Sequence, residues 1–255
     1  MPRHMRLVAL AVLLFLGVCG CGRGEQPVLR LYCGAGIRSP VTELVAEFGR
    51  DQGVVIESDY GGSGVLLSRI KLTREGDFYV PGDVRYVQQA RADGLIASSV
   101  NACYSIPVIL VANRASQPVR GLTDLAAPGL RVGLGEPTAC AIGEVTKEIL
   151  DRAGIGEQVQ ANVVFNSLTV NELGLQIKSG KLDATIVWDA IARQYADVAE
   201  IVEIDRDANT ISTIPVAVLK SSRHTELARE FQKFVTSERG REIWARHGFT
   251  TSPPG

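Results

Sequence analysis

The sequence predicts an α/β protein of two lobes, each a mostly parallel sheet flanked by helices, with a ligand cleft between them. Three observations carry this prediction. Short apolar segments of strand length alternate with segments whose apolar residues recur at helical spacing, the pattern of sheets covered on both faces. That alternation runs through two successive sets of units, the second beginning near Leu130. The loops leaving the strands are rich in glycine and serine, and ligands of such sheets sit beyond the carboxyl ends of the strands.

The first residues read as an export signal. Arg3 and Arg6 precede an apolar run, Leu7 to Val18, that is too short to span a bilayer comfortably. Gly20 before Cys21 points to a lipoprotein signal over residues 1–20, with Cys21 acylated and residues 21–26 as a tether. The alternative is ordinary secretion with cleavage nearby.

Val28 to Cys33 alternates as a strand, and Gly34-Ala-Gly36 is a turn. Ser39 and Pro40 suit the N-cap and first position of a helix, whose Val41, Leu44, Val45 and Phe48 form a core-facing stripe. Val54 to Tyr60 is the next strand. It runs into Gly61-Gly-Ser-Gly64, where Ser63 starts a helix with Leu66, Leu67 and Ile70 on one face. The first amides of a helix lack partners inside it, the dipole is positive there, and glycines let a ligand approach. This segment is a seat for a small anion, with Ser63 as N-cap and donor. Phe78 to Val80 is a strand, Asp83 caps a helix through Ala92, and Ile106 to Ala112 is a buried strand.

In the second set, Leu130 to Leu134 is a strand, Gly135 to Gly143 a loop, and Val145, Ile149 and Leu150 stripe a helix. Val163 to Phe165 is a strand, and Ser167-Leu-Thr169 caps a helix carrying Leu173, Leu175 and Ile177. Asp183 to Trp188, Ile201 to Ile204 and Thr213 to Leu219 are further strands, and His224 to His247 is a helical tail.

Composition narrows the function. The chain has 255 residues, 45% of them hydrophobic, with 27 basic and 28 acidic side chains. No basic stripe interleaved with aromatics argues for nucleic acid. Cys33, Cys103 and Cys140 fit no zinc spacing, and whether two of them pair is open. Cys140 reads as structural. Histidines beyond the signal are confined to the tail, no nucleophile–base spacing stands out, and Gly61 to Gly64 lacks the lysine of a nucleotide-binding loop.

Three loop residues have two readings each. Arg38 either neutralises an anion or is solvated at the cleft edge. Trp188 either lines the cleft or is a core aromatic. Asp189 is a further candidate to face the site. A carboxylate there would favour a protonated anion such as hydrogen phosphate and repel molybdate, tungstate or sulfate.

The order of these segments resembles the molybdate-binding solute receptors of bacterial ABC importers. The resemblance rests on the Val41-Thr-Glu-Leu-Val-Ala-Glu-Phe48 helix, Ser63-Gly-Val-Leu-Leu-Ser-Arg-Ile70, Gly76-Asp-Phe-Tyr-Val-Pro-Gly-Asp83 and the closing Arg246-His-Gly-Phe-Thr250. It implies a periplasmic-binding-protein-like fold whose lobes are joined by crossover strands. Lobe 1 would be residues 27–105 plus 214–255, and lobe 2 residues 106–213. It implies a tetrahedral oxyanion held by backbone amides and hydroxyls, with no cofactor and no free metal cation. Carried onto this chain, the ligand positions are Gly36, where the family has a serine, with Arg38 and Ser39 beyond it. They continue with Ser63, Ala141 or Ile142, Val170, and Trp188 in place of a tyrosine. The implied partners are the anion and a membrane permease, for a monomer lipid-anchored to the cell envelope. A receptor for sulfate, phosphate or another small anion is the alternative. An enzyme acting on an acidic or phosphorylated metabolite, or a signalling receptor lobe, are alternatives of another class.

Overall fold

A computed structural model describes residues 26–254. The export signal and Cys21 lie outside the described residues. Among the described residues, no helix is long and apolar enough to cross a membrane.

Two five-stranded mixed sheets organise the chain. The first contains β1 (Val28–Gly34), β2 (Val55–Gly61), β3 (Phe78–Val80), β4 (Ile96–Ser105) and β10 (Ser212–Leu219), in the order β2-β1-β3-β10-β4. The second contains β5 (Pro107–Ala112), β6 (Val132–Gly135), β7 (Val163–Ser167), β8 (Ala184–Trp188) and β9 (Ala199–Glu203), in the order β7-β6-β8-β5-β9. In each sheet a single strand opposes the rest: β10 is antiparallel to β3 and β4, and β5 to β8 and β9. The expected two-lobed α/β architecture is therefore present. The chain passes between the sheets at Ile106 and again over residues 204–211. Asn209 ties the two passages together by donating to the Pro107 carbonyl at 2.9 Å.

The first sheet is covered on both faces because its strands alternate. Leu29, Leu31 and Cys33 of β1 pack with Phe78 and Val80 against α1 (Arg38–Gln52), α8 (Thr225–Thr236) and α9 (Glu238–Arg246). Tyr32 and Tyr79 face the other way, onto Leu66, Leu67 and Ile70 of α2 (Ser63–Thr73) and Tyr86 and Val87 of α3 (Val84–Ala92). Phe231 contacts the rings of Phe48 and Phe78 at centroid distances of 5.2 and 4.9 Å, joining the tail to the sheet. The second lobe carries α4 (Ala141–Arg152), α5 (Gly156–Gln160), α6 (Val170–Lys178) and the single turn α7 (Asp189–Ala192).

Four local readings are corrected. Strand β4 was not expected; it is an edge strand rich in serine and half exposed, so its apolar alternation is weak. Helix α1 begins at Arg38, after a 3₁₀ turn over Ala35–Ile37, so Ile37 and not Ser39 is its N-cap. Pro40 then falls inside the first turn, where the amide it lacks would have had no partner anyway. Ser63 is the first residue of α2, and Gly62 is its N-cap. The tail is two helices, broken at Ser237, which caps the second by accepting from the Gly240 amide at 3.1 Å. Cys33, Cys103 and Cys140 are buried free thiols.

Candidate functional site

The carboxyl ends of both sheets meet at one small cavity. Strand pairing aligns Gly34 with Gly61, so β1 and β2 end together. Their loops, with Gly82 after β3, form the lobe 1 wall; Cys140 to Ile142, Thr169, Val170 and Trp188 form the lobe 2 wall. The cavity measures about 20 Å³. That is room for one compact group, since a water needs roughly 10–15 Å³ on such a measure.

Helix N-termini converge here from both lobes: the Ala35–Ile37 turn leading into α1, then α2, α4 and α6. None has a side-chain cap, whereas α3 and α9 are capped by Asp83 and Ser237. The first amides of α2, α4 and α6 thus have no side-chain cap, and the dipoles add positive potential; of the first-turn amides, Gly143 bonds the Cys140 carbonyl and Gly64 the Ala139 carbonyl. Cap positions filled by Gly62 and Cys140 leave the first amides, those of Ser63 and Ala141, without a side-chain acceptor.

The side chains supply protons rather than charge. Ser63 Oγ accepts from the Gly82 amide at 3.0 Å, which leaves its own proton to give. Tyr79 fixes that turn by donating from its hydroxyl to the Ser63 carbonyl at 2.7 Å, and burial raises its pKa, so the proton stays. Trp188 is 3% exposed, and its Nε1–H has no acceptor within the described protein. Trp244, the other tryptophan, satisfies its indole on the Val235 carbonyl at 3.2 Å. Among the described residues, no carboxylate lines the cavity. Asp189 turns away, accepting from the Ile106 amide at 3.2 Å and from Arg193 at 3.1 Å, and burial raises its pKa.

The lobes are closed on each other. The Gly64 amide donates to the Ala139 carbonyl across the cleft at 3.0 Å. Arg85 pairs with Glu148 at 2.9 Å, and Arg193 reaches the Gly248 carbonyl at 3.3 Å. Glycines make the approach possible. A Cβ at Gly62 would overlap the carbonyl oxygens of Ala139 and Leu168, and one at Gly64 the carbonyl oxygen of Thr138.

The structure brings Gly36, Ser63, Ala141, Ile142, Val170 and Trp188 together around this cavity. It does not bring Arg38 or Ser39 there. The Arg38 guanidinium lies 4.2 Å from the centroid of the Tyr60 ring, and its exposed side chain is held by that cation–π contact. Ser39 lines a separate groove with Arg193, Arg246 and His247. Gly36 has no hydroxyl to offer, and the room is filled from lobe 2: a Cβ there would lie 2.7 Å from Val170 Cγ1. Two features were missed from sequence. Gly62, Gly64 and Gly82 serve lobe closure, which a glycine-rich loop signals only in general. Cys140, read as structural, lies in the cavity wall.

Two α/β lobes closed over a cavity at the carboxyl ends of both sheets define a solute receptor. The model of the bacterial extracellular solute-binding protein family matches residues 29–250, and the chain belongs to that family. It is similar to the molybdate-binding protein of Mycobacterium tuberculosis, with 25% identity covering 94% of this chain and 95% of the relative. The periplasmic molybdate-binding protein of Azotobacter vinelandii shares the fold, with a TM-score of 0.75 at 17% identity, covering 89% of this chain and all of that one. The sulfate-binding protein SubI of M. tuberculosis does so too, with a TM-score of 0.76 at 16% identity over 90% of this chain and 88% of that one. The resemblance read from the sequence to molybdate-binding receptors is borne out at the level of family.

Proposed function

We propose that this protein captures a fully deprotonated tetrahedral dianion, molybdate or tungstate first, and delivers it to an ABC permease as a lipid-anchored receptor. The observation that carries this reading is a cavity of helix N-termini that no carboxylate lines among the described residues. Helix N-termini from both lobes converge on it, its polar side chains have protons to give, and no carboxylate is present to receive a proton from the ligand. Hydrogen phosphate needs such an acceptor; molybdate, tungstate and sulfate do not. The small volume disfavours sugars and peptides. Relatives that bind molybdate support the choice within the class.

The energetics suffice without a charged side chain. Micromolar affinity needs about 8 kcal/mol. Hydrogen bonds to a charged group contribute roughly 1.5–3 kcal/mol each, and a well-placed helix N-terminus up to about 2. Five or six donors reach that total after the costs of association. Closure then buries the anion, and the ligand selects the closed population for the permease. The cavity holds no nucleophile–base pair, so the reading is binding without catalysis.

Sulfate is the second reading, favoured by its identical charge and shape and by the fold shared with SubI. Titration calorimetry against molybdate, tungstate, sulfate and phosphate decides. Micromolar or tighter molybdate with phosphate silent is the expected result. Silence from all four would remove the oxyanion class.

A further inference from the structure

Cys140 is a cavity-wall side chain that the oxyanion reading above does not use. Its backbone is pinned: the amide donates to the Glu136 carbonyl at 2.9 Å, and the carbonyl accepts from Gly143 and Glu144 at 2.9 and 3.3 Å. It is the N-cap of α4, yet its side chain caps nothing. The thiol is 4% exposed, unpaired with any other cysteine, and part of the cavity wall. Cys33, by contrast, gives its proton to the Gly34 carbonyl at 3.5 Å. The Cys140 S–H has no such acceptor among the described residues.

A second, independent group points to the same place. Trp188 is nine-tenths buried and unpartnered, and its Nε1 edge faces the lobe 1 glycines across the cavity. That nitrogen lies 3.7 Å from where a Gly36 Cβ would be, and 4.0 Å from a Gly82 one. Two donor side chains on one wall of one cavity, neither bonded to an acceptor among the described residues, are open to an acceptor from outside the chain.

Resting on the oxyanion reading above, we infer that Cys140 is a ligand-contacting, specificity-determining residue: its S–H donates to the bound anion and makes up for the hydroxyl that Gly36 lacks. Burial lifts the thiol pKa to about 11, with the nearby Gly143, Ile142 and Val170 amides opposing the rise. At neutral pH the group is therefore a neutral donor and does not repel a dianion. Sulfur is a weak hydrogen-bond acceptor, whereas a hydroxyl donates and accepts equally well. The thiol thus adds a donor to the site without adding a good acceptor for a protonated anion's hydrogen.

The test uses the full chain and three ligands, molybdate, sulfate and phosphate, with wild type, Cys140→Ala and Cys140→Ser. Cys140→Ala is expected to weaken molybdate about five-fold, at the low end for a hydrogen bond to a charged group because the donor is sulfur. Cys140→Ser is expected to stay within about two-fold on molybdate and to gain phosphate binding, since its hydroxyl accepts. Maleimide labelling, located by peptide mass spectrometry, gives a readout that does not depend on the variants folding. Molybdate should protect Cys140 with a midpoint at its Kd and leave Cys33 and Cys103 unchanged. Equal affinity and an equal phosphate response in all three proteins would overturn the role of Cys140 while leaving the receptor reading intact. Labelling of Cys140 indifferent to molybdate that the wild type demonstrably binds would do the same. A wild type that binds none of the three anions would overturn both.

Discussion

Gly64 tests whether the closed arrangement is the binding state. The residue lies in the first turn of α2, and its amide donates across the cleft to Ala139 at 3.0 Å. A Cβ at Gly64 would overlap the Thr138 carbonyl oxygen and lie 3.0 Å from the carbonyl carbon. Both atoms are backbone of the opposite lobe, so no side chain can swing aside. The three nearest atoms all belong to lobe 2, so the clash exists only when the lobes are shut. Gly64→Ala should leave the ligand-free protein folded and as stable as wild type, because alanine suits a helix better than glycine. It should penalise closure by the lost hydrogen bond, about 1 kcal/mol, plus an overpacking cost of about 1–3 kcal/mol. The total of about 2–4 kcal/mol lowers the closed population and raises the apparent Kd by the same factor, about 30- to 1,000-fold. Calorimetry with molybdate reads the affinity, and a thermal melt without ligand reads the fold. Gly121→Ala is the control, since nothing lies within 4 Å of a Cβ there. If Gly64→Ala binds molybdate within about three-fold of wild type, with an unchanged melt, the closed contact is not part of the bound state.

Three further outcomes follow from the same geometry. Ser63→Ala should weaken molybdate about ten-fold or more, because it removes a donor to a charged ligand and strands the Gly82 amide; calorimetry reads it. Arg38→Ala should change molybdate affinity and its salt dependence by less than about two-fold, since the guanidinium is occupied on Tyr60; a large loss with a flatter salt response would return Arg38 to the site. Asp183 is fully buried; burial alone would raise its pKa, but hydrogen bonds from Arg131 and Ser116 outweigh that and hold it down at about 2, against an ordinary 3.8. A depressed acid stabilises the fold above its unfolded pKa and loses that contribution as pH falls through the folded one. About 2 kcal/mol should therefore disappear between roughly pH 4 and pH 2 in wild type. In Asp183→Asn that part of the acid slope in a denaturant titration should vanish.

What could be read from the chain beforehand divides along physical lines. Elements with a strong period were legible: the Val41, Leu44, Phe48 stripe of α1 is buried as its spacing requires, and β3 has the bounds its apolar run suggests. Strand β4 was not legible, because an edge strand satisfies only half its surface and keeps serines on the rest. Helix starts were also misplaced, and the reason bears on function. Cap rules expect a serine, threonine or aspartate at the N-cap, and they hold at Asp83 and Ser237, which do not line the cavity. At α1, α2 and α4 the N-caps are Ile37, Gly62 and Cys140, with no side-chain oxygen for the amides. Around this cavity, then, the departures from good capping are themselves informative. A side-chain cap would fill the first-turn amides from within and leave nothing for an anion. The same argument separates Ser63 from an ordinary cap, since its oxygen accepts from Gly82 in another loop and its proton remains free. Arg38 shows the opposite limit: a charge beside an anion loop looks functional in one dimension, and only the position of Tyr60 reveals that the side chain is already engaged. A cavity walled by glycines, Ser63, Thr169, Cys140 and Trp188 leaves little trace in charge or composition. What identifies it is the convergence of helix ends from two lobes, which exists only in the folded, closed chain.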